Sequence, residues 1–135
     1  VASIRVTQSL GDLSADLQRI ATEVRPRMRG VVRDGLKVGS TIAKANAKRT
    51  AGKHGKRYPS SITSEMGSSL GLFGNTISGE YGPDSSRPQG GMSFEFGSRN
   101  QPAHLDLARS ADVVGPAFLR SVDDEIGDIF DGAGF

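Results

Sequence analysis

Cysteine and tryptophan are both missing from this 135-residue chain. Without cysteine there can be neither a disulfide framework nor a thiolate metal site. Aromatic residues are 6% of the total and hydrophobic residues 36%, a lean supply for a core, which predicts a protein stabilised in part by its neighbours. No apolar run approaches the ~20 residues needed to cross a bilayer as a helix. The opening residues, "VASIRVTQSL", lack the charged and apolar regions of a secretory signal, so an intracellular product is expected. The length predicts one domain over residues 1–135, with an extended N-terminal arm at 1–9 and a flexible C-terminal tail at 131–135.

What the chain does have is glycine, 18 residues of it, and unevenly placed charge. The net charge is only +2, yet Gly35 to Ser64 holds seven Lys or Arg and no acid, whereas Ser121 to Phe135 holds five acids and no base. Such segregation marks contact with nucleic acid or with complementary protein surfaces. The plainer reading is a pair of solvated faces.

Apolar periodicity predicts an α+β fold. Leu10, Leu13, Leu17, Ile20 and Val24 form one helical stripe, and Pro26 is expected to end it. A second helix follows from about Arg27 to Arg49, in which Gly35, Gly39 and Ala43 fall four apart and would let another element approach closely. Three strands are expected next, in "SSITSEM", "GNTISGEYG" and "GGMSFEFGS". The third has the cleanest alternation, Met92, Phe94 and Phe96 against Ser93 and Glu95. The polar stretch between Tyr81 and Met92 then becomes a long inter-strand loop, exposed as an arm. An apolar segment at Leu105 to Ala111 precedes Gly115–Pro116, which marks the start of a final amphipathic helix. The expected architecture is thus two N-terminal helices packed on a small antiparallel sheet, with a C-terminal helix.

Chemistry finds little support. "GSSLG", Gly67 to Gly71, has the form of a nucleophile elbow, but that motif works only at a strand-to-helix turn of a large parallel sheet. "GKHGKR" fails as a phosphate loop because Thr50 stands where the first glycine belongs and Arg57 where Ser or Thr is needed. His104 and Asp106 lie two apart, and His54 is far along the chain in the basic loop, so no metal-ligand set assembles. No catalytic, cofactor-binding or metal residues are expected, and the protein is not read as an enzyme.

Two stretches carry a resemblance: "ANAKRTAGKHGKRYPSSITSE", and "YGPDSSRPQGGMSFEFGSRNQPAHLDLARSADVVGPAF". A helix ending in small and basic residues leads to a strand. A strand closing on Phe94-Glu95-Phe96-Gly97 follows, and a proline-containing run from Pro102 to Leu119 opens the last helix. In this order the chain resembles the neck or tail-completion proteins that join head to tail in long-tailed double-stranded DNA phages, in the form found in phages of actinobacteria. The likeness covers about Gly35 to Val122. It departs at Arg57 to Ile62, where "RYPSSI" replaces the Thr-Gly-x-Leu type entry of many relatives, so tail completion, tail terminator and head-side stopper all remain open as positions.

The resemblance implies a structural virion protein without cofactor or turnover, assembled in the host cytoplasm. Its implied partners are its own copies in a ring, expected to be hexameric, and the adjacent neck proteins, with genomic DNA passing through the channel unbound and no membrane involved. Candidate interaction residues are the basic set Lys44, Lys48, Arg49, Lys53, Lys56 and Arg57, and the acidic set Asp123, Asp124, Glu125 and Asp128. Asp84 and Arg87 join them from the polar arm. The alternative reading is a basic nucleic-acid-binding module acting through Lys44 to Arg57.

Overall fold

The computed structural model describes residues 10–53, 55–67, 76–84, 86, 91–100 and 102–135. The expected N-terminal arm, His54, Arg87 and most of the "GSSLG" match lie outside the described residues, as does half of the polar arm. The elements are α1 (Leu10–Thr50), α2 (Tyr58–Ser61), β1 (Ile62–Met66), β2 (Gly79–Pro83), α3 (Gly91–Phe96) and α4 (Asp106–Gly132). The α+β class holds, but three of its expected details do not.

First, the two N-terminal helices are one. α1 runs unbroken for 41 residues with Pro26 inside it. Proline costs a helix one hydrogen bond and a clash one turn back. Here it lies on the exposed side, while Val24 and Met28 either side of it pack into a common cluster with Ile20, Ile129 and Ala133. Tertiary burial on both flanks outweighs the local penalty. The same holds for Pro116, which sits exposed within a continuous α4 rather than at its start.

Second, the alternating "GGMSFEFGS" is not a strand. Gly91–Phe96 is helical, so among the described residues the sheet has two strands, paired antiparallel from Ile62↔Pro83 to Met66↔Gly79. A short apolar alternation does not by itself separate strand from helix. One turn of helix turns Phe94 and Glu95 inward together and leaves Phe96 70% exposed. Third, the polar stretch after Tyr81 is therefore no inter-strand loop: it links β2 to α3, and the strands are joined through residues 67–78.

α1 and α4 pack antiparallel. Asn46 meets Asp106, Gly35 meets Phe118, Arg27 meets Glu125 and Ile20 meets Ile129. Two apolar clusters lie along this pair. One, at the C-terminal end of α1, gathers Ala43, Ala47, Tyr58, Ile62 and Phe94, with Tyr81 and Leu107 against it. The other, at the opposite end, is the Ile20 cluster. Between them the glycine ridge sets the spacing: a Cβ on Gly39 would stand 2.6 Å from the Tyr81 ring, and one on Gly35 2.9 Å from Phe118. No described helix is long and apolar enough to cross a membrane.

Candidate functional site

The densest polar construction lies where α4 begins. The first amides of a helix need acceptors, and the residue before α4, Leu105, cannot supply one from its side chain. Glu95 supplies it from ten residues upstream. Its carboxylate accepts from the Leu107 amide at 2.9 Å and the Ala108 amide at 3.0 Å. A negative charge at a helix N-terminus also meets the positive end of the macrodipole. Glu95 is only 3% exposed, so its orientation is fixed by those two donors.

Backbone pairing brings Glu95 there. Gly97 turns the chain at φ 83°, a conformation that suits glycine. The returning segment then donates from His104 to the Phe94 carbonyl at 2.8 Å and from Leu105 to the Glu95 carbonyl at 3.2 Å. Leu105 itself takes φ 55°, costly for a side chain bearing a Cβ, and its carbonyl accepts from the Arg109 amide at 2.9 Å. The strained residue is held on both sides by hydrogen bonds.

Asp106 follows, fully buried. The Thr50 hydroxyl stands 2.9 Å from both of its carboxylate oxygens, and the Asn46 amide donates to its backbone carbonyl at 3.2 Å. Arg49 donates in turn to the Asn46 side-chain oxygen. The end of α1 is thereby tied to the start of α4. Tyr58 stacks on Phe94 with ring centres 4.7 Å apart, and His104 leans against the other ring at 5.6 Å. Tyr81 and Ser110 complete the wall through a 2.8 Å hydrogen bond between hydroxyls.

This cluster has the residue types of a catalytic site but not the arrangement. Both carboxylates are already engaged by donors, and the His104 Nδ1 stands 4.0 Å from Asp106, beyond a hydrogen bond. Burial, with the nearby Glu95 and Asp106 charges adding to it, pushes the Tyr58 phenol up to about 12, so the group stays neutral. The Tyr58 hydroxyl and His104 Nδ1 are buried without partners. No group of three or more metal-holding side chains occurs among the described residues. What the arrangement does chemically is satisfy a helix start and lock two helices together.

The expected interaction residues are placed very differently. Lys44 and Lys48 stand exposed on the outer side of α1, and Lys53, Lys56 and Arg57 are exposed in the turn leading to α2. Arg49 is partly committed to Asn46. Asp84 serves its own turn, accepting from the Ser86 amide at 2.9 Å and hydroxyl at 2.8 Å. On α4, Asp123, Asp124 and Asp128 are exposed, whereas Glu125 is half-buried and accepts from Arg27, which also lies 3.8 Å from Glu23. The antiparallel packing sets the basic and acidic groups at opposite ends. Ile129 is level with Ile20, so Asp128 and Lys44 lie about 35 Å apart along α1.

The residues that sequence reasoning missed are Glu95, Asp106, Thr50, Asn46 and Tyr58. The alternation in "GGMSFEFGS" sets Glu95 opposite the apolar residues of a strand, which hides its role. The available signal was a carboxylate just before the Gly97 turn and a second one opening an apolar helical pattern, two acids where a helix start can use them. Comparisons with protein-family models, with curated proteins and with solved structures return no match.

Proposed function

We propose that this chain is a structural subunit of the neck of a long-tailed double-stranded DNA phage, forming a ring, of six copies in the expected case, around the channel through which DNA leaves the head. The neck assignment rests on the sequence resemblance from Gly35 to Val122. The observation that carries the subunit reading is an exposed apolar row on α4: Leu119 is 64% exposed, and Ile126 and Phe130 are 41% exposed each, even with the Phe135 ring edge-on against Phe130. Their spacing of seven and four residues puts them on one side of α4. Large apolar side chains gathered on one side of a helix mark an interaction site more often than chance.

Shape supports the same reading. The 41 residues of α1 give about 60 Å of helix. A compact domain of 135 residues has a radius of gyration near 14 Å, which corresponds to roughly 37 Å across. A rod-like hairpin buries little of itself and gains stability from side-by-side packing. Its partners would be its own copies and the adjacent neck proteins, in the virion, without cofactor or turnover.

Images of purified particles test this directly. The expected result is density for the long helical hairpin in a ring between head and tail, with six-fold symmetry. A particle whose neck lacks the protein, as judged by mass spectrometry of purified necks, overturns the assignment. The exposed lysines on α1 favour a second reading, a nucleic-acid-binding module; salt-dependent binding of duplex DNA by the isolated chain would support it.

A further inference from the structure

We infer that copies of this chain join head to tail, the lysine ridge on the outer side of α1 in one copy receiving an acidic flank of α4 in the next. The inference rests on the subunit reading above, and it names the surfaces.

The ridge is Lys37, Lys44 and Lys48, with Thr41 between them. All four are exposed, and their spacing of four, three and four residues aligns them on one side of the helix, over about 16 Å. The residues buried from the same stretch, Gly39, Ser40, Ala43, Asn46 and Ala47, centre roughly 130° around the helix from the ridge. The flank is Asp124, Asp128 and Asp131, exposed and spaced by four and three residues, covering about 10 Å. The two charged rows therefore repeat at the same helical period and match in length to within a turn or so.

Two features say that the acidic flank is made for a cation from elsewhere. Acids in the last turns of a helix oppose its macrodipole, each at a cost where a base would stabilise. α4 has no base in its last turn, and the flank occupies its final nine residues. Nor can the chain neutralise the flank with its own ridge. The separation of about 35 Å is several times the ~8 Å Debye length at physiological salt. Nearer bases do not serve either. Between Leu10 and Asp34, α1 carries five arginines and four acids, which nearly cancel. Arg27 is taken by Glu125 and Glu23, and Arg19 lies beside Asp16 at 3.9 Å. Arg120 borders the flank one turn before Asp124, a single charge against three.

A contact between two different surfaces of the same chain is heterologous, and repeats until it closes into a ring or runs on as a filament. The exposed stripe of Leu119, Ile126 and Phe130 lies roughly 150° around α4 from the acidic row, so it forms a separate apolar surface outside this charged contact. Exposed ion pairs are individually weak, so the row acts as specificity and register, and like charges brought opposite each other would break it.

The test uses the full chain with three lysines reversed, K37E/K44E/K48E, and separately with three acids reversed, D124K/D128K/D131K. All six positions are exposed, and circular dichroism melts matching the wild type verify folding. By analytical ultracentrifugation at physiological salt, the wild type is expected to self-associate. Each variant alone is expected to associate at least ~100-fold more weakly, and an equimolar mixture of the two to recover association into species larger than two copies. The recovered contact should weaken in 1 M salt, where the Debye length is ~3 Å. A wild type that stays monomeric at millimolar concentration overturns the inference, as do variants that associate unchanged. Recovery of a closed dimer and nothing larger overturns the head-to-tail geometry. Unchanged association with lost binding of a duplex DNA probe by the lysine variant assigns the ridge to phosphates instead. None of these outcomes decides whether the protein sits in a phage neck, which the particle images test separately.

Discussion

Replacing Glu95 tests the structural role of the polar cluster most directly. In Glu95→Ala the amides of Leu107 and Ala108 lose their acceptors, at 2.9 and 3.0 Å in the native fold, inside a site where the carboxylate is almost fully buried. A hydrogen bond to a charged group is worth about 1.5–3 kcal/mol net, and removing one partner leaves the other to bear its desolvation. Loss of a helix N-cap alone costs about 0.5–2 kcal/mol. The two amides share one carboxylate and are not independent, so the expected loss is about 3 kcal/mol. For a chain of this length that lowers the melting temperature by roughly 10 °C. Glu95→Gln keeps the shape and one acceptor but turns an amide donor toward a backbone donor, with an expected loss of about 2 kcal/mol. Glu80→Gln, on the exposed side of β2, should stay within about 0.5 kcal/mol. Urea unfolding followed by circular dichroism measures all three. A Glu95→Ala chain as stable as the Glu80→Gln chain would falsify the capping role.

Tyr58→Phe removes a buried hydroxyl that has no partner, so stability at neutral pH should be unchanged or rise by about 1 kcal/mol. The native phenol, raised to about 12 by burial, keeps its proton where an unfolded tyrosine near 10 has lost it. Its contribution is fully present below pH 10 and is lost as pH rises towards 12, by up to roughly 2.7 kcal/mol. The difference between wild type and Phe variant should therefore widen over that window in denaturant melts, and parallel curves would refute the environment described for Tyr58. Gly30→Ala, with open space around its Cβ position, should stabilise by up to about 1 kcal/mol through helix propensity. Gly39→Ala gains the same propensity but drives a methyl into the Tyr81 ring, held by Ser110, for a net loss of about 1 kcal/mol. Thermal melts of the pair should move in opposite directions.

The mixed helix-and-strand class and two of the three expected strands were legible because each rests on its own periodicity, and the helical stretches of α1 and α4 were legible only in pieces divided at Pro26 and Pro116. The misreadings occur where tertiary contacts overrule local rules. Pro26 and Pro116 look like boundaries to any rule of local propensity, yet both sit exposed while Val24, Met28, Val114 and Phe118 on either side of them are half-buried. The "GGMSFEFGS" alternation fits a strand until Glu95 is seen to answer amides twelve and thirteen residues downstream, a demand that no local pattern encodes. Charge segregation along the chain was plain, but the 35 Å between its two ends depends on the antiparallel packing of α1 and α4. Asp84 and Arg49 carry charge, and only the fold reveals that their side chains already have bonds of their own.

The antiparallel pairing of α1 with α4 also orders events in time. At the Asp106 end, the side-chain bonds from Thr50 and Asn46 that join α1 to α4 span 56 and 60 residues of chain. At the far end, Ile20 meets Ile129 across more than a hundred. Loop closure grows only as the logarithm of length, so the distant contact costs about 0.5 kcal/mol more in chain entropy if nothing else has formed. Once α1 and α4 are joined beside Asp106, that difference disappears, because the two helices then approach as stiff arms from a common hinge. Folding should thus begin at the polar cluster and zip outward. The acidic tip of α4, last to close, would be the part of the newly made subunit whose apolar surface stays open longest to whatever it meets.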